Sequence, residues 1–294
     1  MKPNFDSIKQ NQLAEKFHAL HHTGNALLLP NVWDAVSAKI IEESGFPAIA
    51  TSSAAIAWSL GYQDGENIPP ELMLEAIQRI TRAVKIPVSV DIEGGYYRHD
   101  LKKFAAYIAE IIEAGAVGIN LEDSDANDGV LICDFNLQLK VIRLAKEVGR
   151  QKGVNLFVNA RTDAYNIVFG DSKTKTKISI DRANAFQEAG ADGVFIPFVR
   201  EMDAIVQFKK EIKLPLNILM DAALDVKQLR QLNVNRISTG PKPILATLSA
   251  LKNIAHQMNT SDNWEALFVK EVNYNEVNKW FIKKTDRPHS CACD

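Results

Sequence analysis

The stretch Pro87–Asp123 reads PVSVDIEGGYYRHDLKKFAAYIAEIIEAGAVGINLED and contains one full copy of the pattern that decides the fold. It opens with the short apolar run Pro87–Asp91 and continues into a helix-period segment, Leu101–Ala114. Gly115 then ends the predicted helix, because glycine readily adopts the left-handed conformation found just past a helix C-terminus. A second apolar run, Ala116–Leu121, follows at once. Two apolar runs joined by a helix predict two parallel strands covered by that helix.

The same strand–helix pattern occurs eight times along the chain. The predicted strands are Ala26–Pro30, Ala48–Ser52, Pro87–Asp91, Ala116–Leu121, Asn155–Ala160, Gly193–Pro197, Pro215–Met220 and Asn235–Thr239. The predicted helices are Ala35–Ser44, one that opens at Pro69 and Pro70, Leu101–Ala114, Asn136–Val148, Asp181–Ala189, Met202–Ile212, Val226–Leu232 and Ile244–Met258. Eight units over about 230 residues fit a closed α/β barrel of the (β/α)8 TIM type better than an open doubly wound sheet.

The chain continues beyond the eighth unit. We predict a single domain over residues 1–294, in which the barrel occupies residues 24–258. A helical extension follows at residues 263–283 and contains the amphipathic stretch Trp264–Trp280, while residues 284–294 form a disordered tail. Because the barrel is already complete, the extension must pack elsewhere, against its own barrel or against a neighbouring copy.

Composition excludes several classes of function. The chain has 34 Lys and Arg against 36 Asp and Glu, so it lacks the positive charge typical of proteins that bind nucleic acid or anionic membranes. No apolar run reaches the roughly 18 residues that a membrane helix needs, and the N-terminus MKPNFDSIKQNQLAEKF has no apolar signal segment. Three cysteines do not make a disulfide framework in a chain this long. We expect a cytoplasmic protein that binds neither nucleic acid nor a membrane.

Acidic side chains follow the third and fourth predicted strands. The active site of a TIM-type barrel lies where the strands end, and side chains two residues apart on a strand point the same way. Asp91 and Glu93 can therefore share one face, Glu122 can join them, and Asp64 can reach in from its loop. Carboxylates crowded together repel unless a cation neutralises them, and oxygen ligands select Mg2+ or Mn2+ over zinc. The alternative is that these acids form helix caps and salt bridges at the rim.

Two further features point to an anionic ligand at the same mouth. Arg161 ends the fifth predicted strand, and its guanidinium matches a carboxylate with two hydrogen bonds. The small residues Ser52, Ser53 and Ala54 follow the second strand and could bring backbone N–H groups close to an anionic oxygen. The alternatives are an ion pair from Arg161 to Glu122 or Asp163, and a plain turn at residues 52–54.

Six stretches, taken together, resemble one family in its own order. They are LLLPNVWDAVSAKIIEESGFPAIATSSAA (27–55), PVSVDIEGGY (87–96), AGAVGINLEDS (114–124), NARTDA (159–164), EAGADGVFIP (188–197) and RISTGPKPILATLSAL (236–251). These six stretches together resemble the isocitrate lyase/phosphoenolpyruvate mutase superfamily. The resemblance implies a (β/α)8 barrel with Mg2+ and a last helix that is exchanged within a dimer. It also implies a homotetramer, a dimer of dimers, in which Trp264–Trp280 looks like the exchanged segment.

The resemblance also implies how the carboxylates share the metal. Asp91 resembles the direct ligand of Mg2+. The carboxylates that look like those holding the metal through water are Asp64, Glu93 and Glu122.

The remaining roles concern a small carboxylic acid substrate. Ser52, Ser53 and Ala54 resemble the turn that binds the substrate carboxylate, Arg161 resembles the arginine that contacts substrate oxygens, and Trp33 falls in the segment that lines the pocket. The predicted catalytic residues are Arg161, Glu122 and Asp64. The family chemistry forms or breaks a C–C or P–C bond beside an enolpyruvate-like oxyanion, which metal, arginine and backbone donors stabilise.

One loop departs from the family pattern. Lyase members carry Lys-Lys/Arg-Cys-Gly-His shortly after the strand-four Glu-Asp, and phosphonate-processing members carry a Lys and an Asn-Ser there. Here the loop reads SDANDGVLICD over residues 124–134, with no Lys or His and three aspartates. Cys133 lies too far along the loop, and acidic neighbours raise a thiol pKa, so we predict that it is a packing residue.

These observations favour an enzyme that uses Mg2+ or Mn2+ to form or cleave a C–C bond of a small 2-oxo or 2-hydroxy acid, as a lyase or decarboxylase. One alternative is P–C chemistry of the phosphonomutase type on a phosphoenolpyruvate-like substrate. Another is a non-catalytic barrel that binds a metal and a carboxylate. The sequence leaves the substrate open.

Overall fold

A computed structural model describes residues 5–125, 132–261, 264–268 and 272–281. The chain packs into two compact units, Met1–Ile244 and Leu245–Asp294. Our expectation of a single domain stays a prediction. Within the described ranges, no helix is both long enough and apolar enough to cross a membrane.

The strands of the first unit are parallel and belong to one sheet. Their bounds are β1 Leu27–Leu29, β2 Asn31–Val32, β3 Ile49–Thr51, β4 Val88–Asp91, β5 Gly118–Glu122, β6 Phe157–Arg161, β7 Gly193–Ile196, β8 Leu216–Leu219 and β9 Arg236–Ser238. Their order in the sheet is β1-β9-β8-β7-β6-β5-β4-β3-β2. β1 lies within the first predicted strand, and β2 follows it directly after Pro30, beyond the predicted end. Because the last strand, β9, pairs with β1, the sheet forms a nearly closed barrel. The predicted α/β fold of the TIM type is confirmed.

Pro30 marks the seam of the barrel, because its nitrogen has no hydrogen to give to a strand ladder. On either side of it, β1 pairs with β9 and β2 pairs with β3. The Asn31 side chain bridges the seam. Its amide nitrogen donates to the carbonyl of Thr51 (2.7 Å), and its oxygen accepts from the backbone N–H groups of Thr239 (3.0 Å) and Gly240 (2.8 Å). One buried side chain thus joins the beginning and the end of the barrel.

The helices described before residue 240 surround this sheet or connect its strands. Their bounds are α1 Ser7–Leu20, α2 Ala35–Glu43, α3 Ser53–Ser59, α4 Pro70–Ala83, α5 Leu101–Glu113, α6 Phe135–Gln151, α7 Ala164–Ile167, α8 Ser172–Glu188, α9 Met202–Glu211 and α10 Val226–Gln231. Periodicity predicts most of them but not α1, α3 or α7. It also places the start of α8 at Asp181, whereas the helix begins at Ser172. The first turn of α8 is polar and exposed, and it begins where the Asp171 carboxylate accepts the Thr174 N–H (2.8 Å).

Helix α1 closes the N-terminal end of the barrel. Its Phe17 ring lies 5.3 Å from the ring of Phe157, and its His21 ring stacks on Phe157 at 4.2 Å. Phe157 is the first residue of β6, and Gly118 is the first residue of β5. A Cβ atom on Gly118 would lie 3.0 Å from the Phe17 ring, so the glycine allows that ring to pack closely against the strand. This aromatic plug leaves the opposite, C-terminal end of the barrel as the open mouth.

The second unit continues α11, Lys242–Thr260, and contains a short 3-10 helix, Glu265–Leu267, and α12, Tyr274–Trp280. The predicted stretch Trp264–Trp280 is therefore two short helices in its described part rather than one amphipathic helix. Its apolar side chains, and those along α11, are exposed in the isolated chain: Leu245, Leu248, Leu251, Met258, Trp264, Leu267, Phe268, Val272 and Phe281. An exposed apolar surface of this kind marks an interface.

We therefore expect a chain shortened after Asn263 to lose its oligomeric state. The reason is that the apolar groups of the extension need an apolar partner, which a second copy can supply. Light scattering of the full and shortened chains measures this change. A second deletion, of residues 284–294 alone, is the matched control and should leave the assembly intact. Equal masses for the full chain and the longer deletion would count against helix exchange.

Candidate active site

The Asp91 carboxylate stands at the C-terminal end of β4. Its Oδ2 accepts hydrogen bonds from the Ser53 hydroxyl (2.8 Å) and, more weakly, from the Ser53 N–H (3.3 Å), while the Asp91 N–H donates to Thr51 Oγ1 (2.9 Å). Within the described residues, its Oδ1 is buried and has no hydrogen-bond partner. A buried carboxylate oxygen without a partner is costly, so this oxygen is prepared for a cation or donor from outside the chain.

Glu93 reaches the same mouth from a turn rather than from the strand. Because β4 ends at Asp91, strand alternation cannot direct Glu93. Instead Glu93, Glu66 and Tyr96 all have a positive φ, between 52° and 59°, which residues other than glycine rarely adopt. Two hydrogen bonds hold this arrangement: Glu66 N–H donates to Glu93 Oε2 (2.6 Å), and Tyr96 N–H donates to Glu66 Oε1 (2.8 Å). The two loops are thereby fastened together over the mouth.

The electrostatic environment of Glu93 shows that the predicted acids lie near one another. Only 4% of Glu93 is exposed. Burial raises its pKa to about 9, and the charges of Asp64, Glu122 and Asp91 add to this shift. Asp64 is exposed on its loop, yet desolvation and the Asp91 charge raise its pKa as well. The four carboxylates that the sequence places at one mouth thus interact electrostatically.

Arg161 is the cation of the site, and it is held from both sides. Its Nη1 forms an ion pair with Glu122 Oε2 (2.6 Å), and its Nη2 forms one with Asp163 Oδ1 (2.8 Å). Burial opposes the charge of Arg161, but the carboxylates of Glu122, Asp163 and Asp91 outweigh burial and raise its pKa. Both ion pairs that the sequence left as alternatives are therefore present. They fix the plane of the guanidinium and leave N–H groups on its terminal nitrogens for a ligand.

Glu122 shows that Arg161 alone does not balance the mouth. Burial raises the pKa of Glu122 to about 8; the Arg161 charge opposes this shift, and the charges of Asp163 and Asp91 add to it. Ser124 donates a hydrogen bond to Glu122 Oε1, so the carboxylate is anchored at both oxygens. The carboxyl groups of Asp64, Asp91, Glu93, Glu122 and Asp163 outnumber the guanidinium groups of Arg161 and Arg98 at this mouth. The raised pKa values of Glu93 and Glu122 keep these two groups protonated at neutral pH when no cation is bound, and a divalent cation would displace their protons.

A divalent cation fits this excess. Among the residues that the structure describes, no three His, Cys, Asp or Glu side chains stand close enough together to bind a metal ion directly. The set is instead open: among the described residues, Asp91 Oδ1 and Asp163 Oδ2 are buried without a hydrogen-bond partner, and further carboxylates lie within electrostatic range of Asp91. Such a set suits a hard cation that keeps part of its water shell, as Mg2+ usually does. The residue roles implied by the resemblance stay predictions.

Most hydrogen-bond donors of the turn at residues 52–54 are already used within the protein, which the sequence does not show. Ser52 N–H donates to the Val32 carbonyl (3.1 Å), and its hydroxyl caps α3 by accepting Ala55 N–H. Ser53 donates to Asp91 through both its N–H and its hydroxyl. Two of the three proposed N–H donors are thus already used, and Ser53 serves the carboxylate beside the site. Ala54 is buried in the first turn of α3.

Trp33 follows β2 at the mouth, half-buried against the core, and its N–H donates to Ser37 Oγ (3.1 Å). Its position agrees with a pocket-lining residue, while its role stays a prediction.

The sequence analysis does not include two residues that shape the mouth, Glu66 and Arg98, and it considers Asp163 only as an ion-pair partner of Arg161. Arg98 is buried and donates to the carbonyls of Gly94 (3.1 Å) and Glu122 (2.5 Å). A methyl group on Gly94 would overlap this guanidinium, which explains why glycine follows Glu93. The pair Gly94-Gly95 is the sequence feature that could have indicated a large side chain packed close to the backbone here. Nothing in the sequence pattern indicated the role of Glu66.

Cys133 is buried and does not contact the site carboxylates. Its thiol lies 3.5 Å from the Asp134 carbonyl and 3.6 Å from Gln138 Oε1. Burial raises its pKa; Arg98 opposes this shift, and Asp123 and Asp125 are among the groups that modify it, both upward. The predicted direction is therefore right, although burial is the main cause. Residues 126–131 of the same loop lie outside the described part of the chain.

We expect Cys133→Ser to keep most of the turnover of the protein. A serine hydroxyl can make the same two short-range contacts, and a buried thiol with a raised pKa is a poor acid at neutral pH. Steady-state kinetics with Mg2+, alongside Cys133→Ala, measures the effect. Nearly complete loss of turnover in both variants with unchanged metal affinity would instead identify Cys133 as the acid of a lyase.

The profile of the phosphoenolpyruvate phosphomutase family matches residues 17–259, which include the whole barrel and its mouth. The chain belongs to this family. It is thereby a member of the isocitrate lyase/phosphoenolpyruvate mutase superfamily of enzymes, and the resemblance seen in its motifs is confirmed.

Relatives within the superfamily carry out different reactions. An uncharacterized protein of Mycobacterium tuberculosis is 35% identical over 246 residues, 84% of this chain and 90% of the relative. Oxaloacetate decarboxylase of Rhodopseudomonas palustris is 29% identical over 78% of this chain and 82% of its own length. 2-Methylisocitrate lyase of Bacillus subtilis is 28% identical over 70% and 67%. A solved structure of a proposed phosphonomutase from Burkholderia cenocepacia is 35% identical, with a TM-score of 0.80 over 85% of this chain and 99% of that one.

Proposed function

We propose that this protein is a Mg2+-dependent enzyme that cleaves a C–C bond of a small 2-oxo acid through an enolpyruvate-like oxyanion, with decarboxylation of an oxaloacetate-like acid as its reaction. The observation that carries the proposal is the mouth of the barrel. There, Asp91 has a buried oxygen without a partner among the described residues, carboxylates outnumber cations, and Arg161 is fixed between Glu122 and Asp163.

The charge balance supports a cation and an anionic ligand together. Carboxylates that crowd one mouth favour binding of a hard divalent cation. When bound there, with Asp91 as its direct ligand and Asp64, Glu93 and Glu122 around it, Mg2+ supplies Lewis acidity at an oxygen of the substrate. The free N–H groups of Arg161 donate to the same region, where negative charge develops during the reaction.

Decarboxylation requires fewer catalytic side chains than the other candidate reactions. The bond between C3 and the departing carboxylate breaks, its electron pair moves toward the C2 oxygen, and CO2 leaves. Arg161 stabilises the enolate oxygen, and water then supplies the proton to C3. No side chain has to remove a proton from the substrate, so the reaction does not need the Lys, Cys and His that lyase members carry in the loop at residues 124–134.

Cleavage of a 2-hydroxy acid such as 2-methylisocitrate asks for more. A base must take the hydroxyl proton and an acid must protonate the resulting enolate. Cys133 does not fit the acid, because it is buried against Gln138 and the Asp134 carbonyl. The B. subtilis relative therefore supports the superfamily chemistry but not this particular reaction.

Phosphonomutase-type chemistry is the second candidate. It is favoured by the 35% identity to the B. cenocepacia protein, which is proposed to be a phosphonomutase. It is opposed by the loop at residues 124–134, which has neither the Lys nor the Asn-Ser of phosphonate-processing members.

A parallel assay of the purified protein on oxaloacetate, 2-methylisocitrate and phosphonopyruvate, with Mg2+ or with EDTA, separates these candidates. Because Mg2+ alone slowly decarboxylates oxaloacetate, Asp91→Asn protein at equal concentration is the control. We expect pyruvate and CO2 to form faster than in that control only with the wild-type protein and Mg2+. Turnover of only one of the other acids would replace the proposed reaction. Binding of Mg2+ and oxalate without turnover of any of the three would identify a non-catalytic barrel.

A further inference from the structure

Arg236 is one of the largest fully buried side chains of the protein, with 1% of its surface exposed. It opens β9 and lies within the barrel between the aromatic plug of α1 and the mouth. Its Nη2 donates to Asn120 Oδ1 (3.2 Å), which also accepts from Asn159 Nδ2 (2.8 Å). In the sheet register Asn120 on β5 stands opposite Asp91 on β4. Arg236 therefore donates a hydrogen bond to the residue beside Asp91 on the neighbouring strand.

The charge of Arg236 is not neutralised by a contact. Its Nε and Nη1 are buried without a hydrogen-bond partner in the described part of the chain. Its register partners on the two neighbouring strands, Asn217 on β8 and Leu27 on β1, are both uncharged. Burial lowers the pKa of Arg236 to about 9, which leaves it protonated at neutral pH, and the charge that opposes this shift is that of Asp91.

On the side of the aromatic plug, Arg236 interacts electrostatically with His21, which cannot supply an opposite charge. Burial and the Arg236 charge lower the pKa of His21 to about 3, so this ring of the aromatic plug is neutral. A buried cation with no ion-pair partner is costly to a protein and needs a compensating role or neighbour. The carboxylates of the mouth are the nearest source of opposite charge.

We propose that Arg236 acts as a fixed positive charge beneath the metal site. This charge lowers the affinity of the mouth for the divalent cation and raises its affinity for the anionic ligand. This inference rests on the proposed function of the same site. Asp91 links Arg236 to the metal site, because it is the predicted direct ligand of the metal and its charge acts on Arg236.

The physical reason is the sign of the interaction. In a protein interior charges are screened far less than in water, so a buried charge acts over several ångströms. A positive charge repels Mg2+ and attracts a dianion or a developing enolate oxygen. A mouth of four carboxylates without such a charge would bind the metal tightly and repel its anionic substrate. Arg236 shifts this balance without contacting either ligand.

The test is to measure two affinities in Arg236→Gln and Arg236→Met, which remove the charge. Calorimetry gives the Kd of Mg2+ for the free protein and the Kd of oxalate, a planar dianion that mimics an enolate, at saturating Mg2+. We expect the Kd of Mg2+ to fall and the Kd of oxalate to rise, each by about tenfold. Arg236→Lys keeps the charge and should change each Kd by much less. Arg230→Gln, which removes an exposed charge on α10, is the control for net charge and should change neither.

The opposite signs separate this role from a structural one, because a loosened barrel would weaken both affinities together. Weaker binding of both ligands, or no change in either, would overturn the inference while leaving the proposed function standing. If one neutral variant fails to fold, the other still decides the result. A wild-type protein that binds neither Mg2+ nor oxalate would overturn the proposed function, and this inference with it.

Discussion

Replacing Asp91 by alanine is expected to abolish Mg2+-dependent turnover while the barrel stays folded. Asp91 Oδ1 is buried without a partner among the described residues, and Asp91 Oδ2 accepts hydrogen bonds from Ser53. Because the substitution also removes one of several repelling carboxylates, we expect the metal-free variant to melt at the same temperature as the wild type or above it. Wild-type protein should gain stability when Mg2+ is added, as any ligand of the native state provides, and the variant should not.

Thermal unfolding with EDTA and with Mg2+, together with steady-state kinetics, measures both parts of this expectation. Glu188→Ala is the matched control, because it removes an exposed carboxylate from the last turn of α8, at the end of that helix remote from the C-terminal ends of the strands. Wild-type turnover and metal affinity in Asp91→Ala would show that the metal site has been assigned to the wrong residues.

Replacing Arg161 by lysine is expected to lower kcat/KM by about a hundredfold, the loss typical when a preorganised donor at an oxyanion is removed. Lysine keeps the charge, but its single ammonium group cannot reproduce the planar fork that joins Glu122 and Asp163. We also expect a lower melting temperature, because carboxylates buried beside Arg161 would lose a partner.

Kinetics and melting curves of Arg161→Lys test this expectation. Arg200→Lys is the control, since Arg200 forms an exposed ion pair with Asp221 (3.2 Å) that should contribute little. A value of kcat/KM within about threefold of the wild type, which is the scatter of surface substitutions, would mean that Arg161 serves the fold and not the substrate.

The barrel could be predicted from the sequence because its strands are continuous apolar runs and its longer helices have an apolar period. Helices α1, α3 and α7 escaped this reasoning because they are short or because, like α1, they precede the first strand. The start of α8 escaped it because a polar, exposed turn has no period to detect.

The candidate site could be predicted in its acids but not in its construction. Asp91 and Glu122 end strands, and the place of each follows from the fold alone. Glu93 lies near the other acids, but strand alternation is not the reason: its left-handed turn and its hydrogen bond from Glu66 N–H position it. Arg236 could not be expected at all, because an arginine at the start of a strand normally points to solvent in a sequence-based reading.

The seam at Asn31 has a consequence for how the protein is made. Its side chain binds Thr239 and Gly240, which follow it by 208 and 209 residues. Ribosomes add about 5 to 20 residues per second, so the first strand waits on the order of ten to forty seconds for its partner strand to be synthesised. During that interval one edge of β1 is an open strand edge, a template for pairing with other chains. Synthesis of this barrel therefore favours protection of its N-terminal strand until translation is nearly complete.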